Sequence, residues 1–324
     1  MRRLLVSRAA QSAVVIVLVA TLAFLLIHLA PGDPFSTSLD DPSIPGDVRD
    51  HQRALWGYNR PLPEQYMRWV GNLTRGELGW SHTLSRPVAE VLRETVPHTL
   101  LLMGTALVLG LVGGVALGTW QASRRGSVAE HAAGSAILLA LSVPEFLLAL
   151  GALALFAIRL RWLPVSGMVD PAMHDSMRFA ARMLDVARHL ALPAGTLALI
   201  TAAGVSRYQR TAVLGVLPED FLRSARAKGA SRSIVLVRHA LRNALGPLIA
   251  ICGLLLPALL GGAVVVESIF AWPGMGRTMV NAVGGRDYQL VLAGVLAGSV
   301  LVAVGGAAAD VLASLADPRL RSRT

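Results

Sequence analysis

Three acids stand inside apolar runs of the chain: Glu145, Glu267 and Asp310. A carboxylate at membrane depth is costly, so such residues are as a rule paired, or they serve a cargo or a gate. Glu267 lies near the outer end of its run and reads equally as an interfacial structural residue or as a gate. Asp310 is expected to pair with an arginine near the inner end of its run. Glu145 follows Pro144, and the pair marks a kink. None of the three is read as a substrate ligand. The eight histidines are scattered without metal-ligand spacing, so no bound metal is expected. No glycine-rich phosphate loop precedes a Lys-Ser or Lys-Thr pair, and Lys228 stands before its glycine, not after one. The chain therefore carries no visible means of hydrolysing ATP and is expected not to be an enzyme. The single cysteine, Cys252, cannot form an intrachain disulfide.

The most informative stretch runs from Glu219 through Phe221, Leu222, Arg223, Ser224, Ala225, Arg226, Ala227 and Lys228 to Gly229, and on to Pro247. Its pattern predicts a short helix, a break and a second helix. Pro218 suits a first helical turn, and Glu219 and Asp220 complement the positive end of the helix dipole. Arg226 and Lys228 sit near the negative end. Gly229 suits the left-handed cap that stops the helix. Phe221, Leu222 and Ala225 form a small apolar patch suited to docking in a partner's groove. Alone, so many arginines would read as a topology signal held by anionic lipid.

These residues need a scaffold, and the composition says which. The 324-residue chain is 54% hydrophobic and only 15% charged, outside the range of ordinary soluble domains. The formal charge of +10 is clustered between apolar runs, so nucleic acid is not the expected partner; the lipid bilayer is. Six spans of about 20 residues are expected, since that length crosses the hydrocarbon core. They run roughly over 10–29, 99–120, 132–158, 190–205, 245–267 and 290–315, with the fourth the shortest. The first apolar run is longer than the core of a signal peptide, so it reads as a retained anchor. With the N-terminus inside, sixteen of the 30 basic residues fall in the inner segments against four acids, whereas the outer segments are nearly neutral. The positive-inside rule then places both termini in the cytoplasm. The division is a 1–30 anchor helix, a 31–97 periplasmic loop region, and a 98–324 transmembrane core with a cytoplasmic loop near 213–246. Within the long loop, Glu64–Leu73 is expected to be a short helix, and the loop as a whole to cap the outer mouth. Gly110, Gly114 and Gly118, and likewise Gly294 and Gly298, have the small-xxx-small spacing that lets helices approach closely.

The 219–247 segment resembles the cytoplasmic coupling loop, the EAA loop, of ABC-importer permeases. It is most similar to the form in the dipeptide/oligopeptide/nickel transport family, first-subunit type. Gly229 matches the loop's central glycine and Ala225 its second alanine. Arg223 and Ser224 stand where the general motif has glutamate and alanine, and the expected proline falls late, at Pro247. This arginine-rich form is common in the peptide/nickel branch. His28-Leu29-Ala30-Pro31-Gly32-Asp33-Pro34, the Glu267–Arg277 stretch with Arg286-Asp287-Tyr288, and the ending Asp317–Arg321 also resemble that family, so the likeness runs end to end. Gly306 departs from it, where the family carries a polar residue upstream of Asp310.

The resemblance implies an all-α, multi-pass protein of the bacterial inner membrane. It implies a permease subunit of an ATP-driven importer for peptides, nickel complexes or a related solute. It further implies a second homologous permease, two cytoplasmic ATPases that use ATP and Mg, and an extracytoplasmic substrate-binding protein. Phe221–Gly229 would be the ATPase-coupling element. The rival reading is an ATP-independent secondary transporter, which would require inverted repeats and broken helices with central charges; neither is clear in the sequence.

Overall fold

The computed structural model describes residues 2–29 and 59–316. Helices α1 (Arg2–Leu29) and α2 (Leu62–Thr74) precede a two-stranded antiparallel hairpin, β1 (Trp80–Ser81) and β2 (Arg86–Pro87). Then follow α3 (Val88–Ser123), α4 (Val128–Ser142), α5 (Glu145–Ala152) with wide π turns over Leu153–Arg159, and α6 (Phe179–Val216). The rest comprises α7 (Asp220–Ala227), helical turns from Arg232 to Ala244, α8 (Gly246–Ile269), α9 (Met275–Gly284) and α10 (Tyr288–Ala316). The family-like segments around Pro31–Pro34 and Asp317–Arg321, and Trp56 and Tyr58 of the long loop, lie outside the described residues.

Among the described residues, four helices are singly long and apolar enough to cross a membrane: Arg8–Leu29, Val88–Ser123, Phe179–Val216 and Tyr288–Val311. The third expected span is not one straight helix. Its halves, Val128–Ser142 and Glu145–Arg159, meet at 105°, and counting them as one crossing makes five. The cause is local. Pro144 has no N–H to continue α4, and the residue before a proline is driven out of the helical region; Val143 is extended, with φ −83° and ψ 127°. The remaining expected span falls on α8, of which Leu259–Ile269 is a short apolar helix.

By its contacts the described chain forms two compact units, one of Thr99–Pro273 with the chain from Val304, the other of Arg2–His98 with Gly274–Ala303. The core of the first is built from α3, α5, α6 and α8, with Leu102, Leu197, Val266, Phe270 and Trp272 all buried. Trp272 and Phe270 close the end of α8, where the Phe270 carbonyl accepts the Gly167 N–H at 2.9 Å. The glycine spacing on α3 has a direct structural reason. A Cβ on Gly110 would lie 2.6 Å from the Thr201 Cβ, one on Gly114 2.6 Å from the Val205 Cβ, and one on Gly118 2.4 Å from the Ser206 carbonyl oxygen. Only glycines let α3 lie this close along α6.

The fourth expected span is corrected most. Sequence reading makes it the shortest, 190–205; the structure makes α6 the longest, 38 residues, with 67% of its apolar window buried. Ser206 and Gln209 lower the hydropathy just past the expected end, as Thr196 and Thr201 do within it. All four are buried. The three hydroxyls donate to carbonyls in their own helix, Leu192, Leu197 and Ala203, at 2.8–2.9 Å. Such back-bonding satisfies a hydroxyl without any outside partner, so α6 can be polar and central together.

In the second unit, α2 covers the expected Glu64–Leu73 helix. Tyr66 and Trp69 pack on Phe24 of α1, with ring centroids 5.2 and 5.6 Å apart, and the Thr21 and Tyr66 hydroxyls are 2.7 Å apart. Gly294 makes room for Met279, whose sulfur would lie 1.8 Å from a Cβ there; its tight neighbour is a side chain of α9. A Cβ on Gly298 would come no nearer than 3.9 Å to Met275.

Candidate coupling element and buried polar sites

The sequence-expected helix forms as α7 and stops where Gly229 stands. The Ala230 N–H donates to the Ala225 carbonyl at 3.2 Å, the long closing bond of a Schellman cap, and the Lys228 N–H donates to the Ser224 carbonyl. Gly229 has φ +84° with no atom within 4 Å of an added Cβ. Glycine is needed there for its left-handed backbone and not for space. Pro218 precedes the helix instead of opening it, because it lies in the turn by which the chain leaves α6.

The expected apolar patch is divided. Leu222 is fully buried against Val235 and Ala240, with Ala225 and Ala230 packed on the same cluster. Phe221 remains 43% exposed, as do Ile234 and Val237 nearby. Leu222 therefore fixes α7 to its own chain, and Phe221 is the apolar side chain α7 offers outward. Arg223 and Asp220 form an open i,i+3 pair at 3.6 Å, a contact worth little in itself. Ser224 donates to the Asp220 carbonyl at 3.0 Å.

Glu267 is fully enclosed, and its carboxylate accepts the Thr99 hydroxyl at 2.6 Å. Its carbonyl accepts the Trp272 N–H at 2.9 Å, so the residue ties the end of α8 to its closing turn. Asp310 lies half-buried on α10. Glu145 sits just past the 105° bend, as the Pro144–Glu145 reading expects.

Three polar sites were not singled out from sequence. Glu130 is bound by the Arg210 guanidinium through Nε at 2.8 Å and also through Nη2, and it accepts the Gly126 N–H at 2.6 Å. Its own N–H donates to Ser127 Oγ at 3.2 Å. Ser127-x-x-Glu130 before an apolar run has the spacing of a capping box, a signal that was there to be read, although the Glu130 carboxylate accepts from Gly126 and not from the Ser127 N–H. Asp185 gathers His174 Nδ1 at 2.7 Å, His189 Nδ1 at 3.1 Å and the Asp170 N–H at 3.0 Å. Only the i,i+4 spacing of Asp185 and His189 hinted at it. Asp287 accepts Ser81 Oγ at 2.6 Å, the Thr83 hydroxyl and N–H at 2.9 and 3.1 Å, and the Leu290 N–H at 3.2 Å. It thereby caps α10 and pins the hairpin. Beside it, burial lowers the pKa of His82 against the opposing pull of Asp287. No cluster of three metal-ligating side chains occurs among the described residues.

Long packed helices, a bent crossing and a short capped helix between two of the longer ones describe a multi-pass membrane protein. Residues 114–322 match the model of the binding-protein-dependent transport system inner membrane component, and residues 1–103 match the N-terminal model for such membrane components. The chain belongs to this family of ABC-importer permeases. It is 36% identical to the oligopeptide transport system permease protein AppB of Bacillus subtilis, over 98% of both chains. It is 38% identical to the di/tripeptide transport system permease protein DppB of Pseudomonas aeruginosa, over 94% of both. The fold is like that of a chain in the inward-facing MetNI methionine ABC transporter, with a TM-score of 0.54 and 17% identity, over 70% of this chain and 96% of that one.

Proposed function

We propose that this chain is a peptide-translocating subunit of a bacterial inner-membrane importer, with both termini in the cytoplasm. It pairs with a second permease, receives cargo from an extracytoplasmic binding protein, and is driven by two separate ATPase subunits. The observation that carries the cargo is the end-to-end likeness to oligopeptide and di/tripeptide permeases. No nickel permease is needed to account for it. The observation that supports coupling is α7: anchored inward by Leu222, stopped at Gly229, and presenting Phe221 outward. A short rigid helix fixed on one side, with an exposed aromatic side chain on the other, can be pushed by a partner without deforming. ATP-driven closure of the ATPases would then shift the permease between two states as a rigid-body change. Glu267 and Asp310 hold the structural side of that change, and a gate role for either would show as altered transport with intact assembly.

The test is co-purification of the chain with the products of its neighbouring genes, followed by peptide-stimulated ATP hydrolysis in liposomes. Phe221→Ala removes outward surface without touching the cap, and Gly229→Pro removes the left-handed cap. We expect Phe221→Ala to lower stimulated hydrolysis about tenfold, with membrane insertion unchanged, since one buried aromatic anchor is worth about 1.4 kcal/mol or more. Gly229→Pro should abolish it. Uptake of peptide without any ATPase bound would overturn the reading.

A further inference from the structure

A cavity of about 440 Å³ lies between α3, α4 and α6, beside the Glu130–Arg210 pair and apart from the coupling helix α7. Its polar walls include Gln121, His131, Ser135, Arg207 and Arg210, with Gly134 leaving part of the space open. The hydrogen bonds here are lopsided. Glu130 is the acid of the cavity, and its oxygens are taken by Arg210 and the Gly126 N–H. What remains unused is the Arg207 guanidinium, the Ser135 hydroxyl and the side chain of Gln121. Arg207 is exposed and has no ion-pair partner among the described residues. Ser135 makes no hydrogen bond among them. Gln121 is 2% exposed, and its side-chain oxygen has no partner. Its amide nitrogen faces Gly134, 3.9 Å from where a Cβ would be. The unmatched oxygen is an acceptor and costs about 1–3 kcal/mol; a hydroxyl, such as that of hydrogenphosphate or of a glycerol headgroup, would satisfy it, while the amide nitrogen can donate to an anion.

The depth of the cavity is marked separately. Trp120, adjacent to Gln121, lies under the Arg124 guanidinium at 5.5 Å from its ring centroid. Tryptophan with arginine at a helix end is the pattern of the membrane–water interface, where lipid phosphates lie. Apolar Ile137 and Leu138 line the same space.

We propose that this cavity binds a phosphate-type oxyanion, held by Arg207 at the mouth and by the Gln121 amide within. Two sources share that chemistry: the headgroup of an anionic phospholipid, whose chains would run along the apolar wall, and free phosphate from solution. Basic pockets between membrane helices are known to suit such headgroups. The binding is a property of this chain and does not depend on what the permease carries.

The experiment uses the full chain in nanodiscs of phosphatidylcholine with a minor share of phosphatidylglycerol, read by native mass spectrometry, with and without inorganic phosphate. Arg207→Ala removes the cation. Gly134→Val fills the cavity without changing charge, and its Cβ has room. Thermal unfolding of each variant checks that the fold is kept. We expect the wild type to retain phosphatidylglycerol about tenfold more strongly than either variant, and Arg207→Lys to retain most of the difference. Retention that added phosphate does not displace identifies the headgroup. Phosphate binding in discs free of phosphatidylglycerol, lost in both variants, identifies the free anion. Equal retention in all forms with no phosphate binding overturns the proposal. So does loss in Arg207→Ala with none in Gly134→Val, since that is surface attraction without a cavity.

Discussion

Helices α1 and α6 both look like membrane spans, and they live in opposite surroundings. In α1 only 11% of the apolar window is buried, with Val14, Leu18 and Leu26 exposed; in α6 the share is 67%. The more apolar helix is the more exposed one. A lipid-facing helix must be apolar on every exposed side, whereas a helix walled by other helices can carry hydroxyls that its own backbone satisfies. Hydropathy thus reports exposure, and a weak signal can mark a helix enclosed by its neighbours.

The contrast can be broken at four points, in falling order of effect. Gly118→Val puts a methyl-bearing carbon against the Ser206 carbonyl of α6, backbone against backbone. We expect about 3 kcal/mol of destabilisation, or failure to accumulate, from overpacking where neither side can move. A neutral result would mean that α3 and α6 are not held as described. Asp287→Ala tests whether the unit containing α1 also has a stiff point. It orphans the Ser81 and Thr83 donors and the α10 cap at once, and should cost about 2 kcal/mol in thermal unfolding in detergent. Acidification should act more weakly at the same place. With the His82 pKa below its usual value near 6.5, the folded state binds fewer protons than the unfolded one just under that pH. The stability held by the neutral ring is complete above about pH 6.5 and falls as the pH drops toward the folded value. The unfolding midpoint should decline across that window in the wild type and less in His82→Gln. Leu18→Ala, on the exposed face of α1, should change stability by no more than about 0.5 kcal/mol. If it matched Gly118→Val, the exposed reading of α1 would be wrong.

The helical architecture, the α7 cap and the bend at Pro144 were legible because each rests on a residue with one dominant backbone preference. Glycine takes the left-handed cap and proline ends the ladder whatever surrounds them. The glycine spacing on α3 was legible as close packing, though not its partner. The extent of α6 was hidden because hydropathy counts its hydroxyls as polar, whereas in the helix they bond back to its own carbonyls. Asp185 with His174, and Asp287 with Ser81, were hidden because both join residues brought together only by folding. Leu222 shows the limit at the candidate site itself. Sequence placed it in an outward patch with Phe221, but two adjacent helical residues point about 100° apart, and one of them had to be the anchor.

The length of α6 has a consequence for the surrounding lipid. At about 1.5 Å per residue, 38 residues reach about 57 Å, far beyond a hydrocarbon core of about 30 Å. The 22 residues Arg8–Leu29 reach about 33 Å, close to that core. A helix whose ends carry charge, as α6 does with Arg182, Arg188, Arg207 and Arg210, can overshoot the hydrocarbon, and a wholly apolar span cannot. Hydrophobic mismatch should therefore enter this permease through α1. Lengthening or shortening the acyl chains by a few carbons would tilt that helix first, leaving the α3–α6 seam in register.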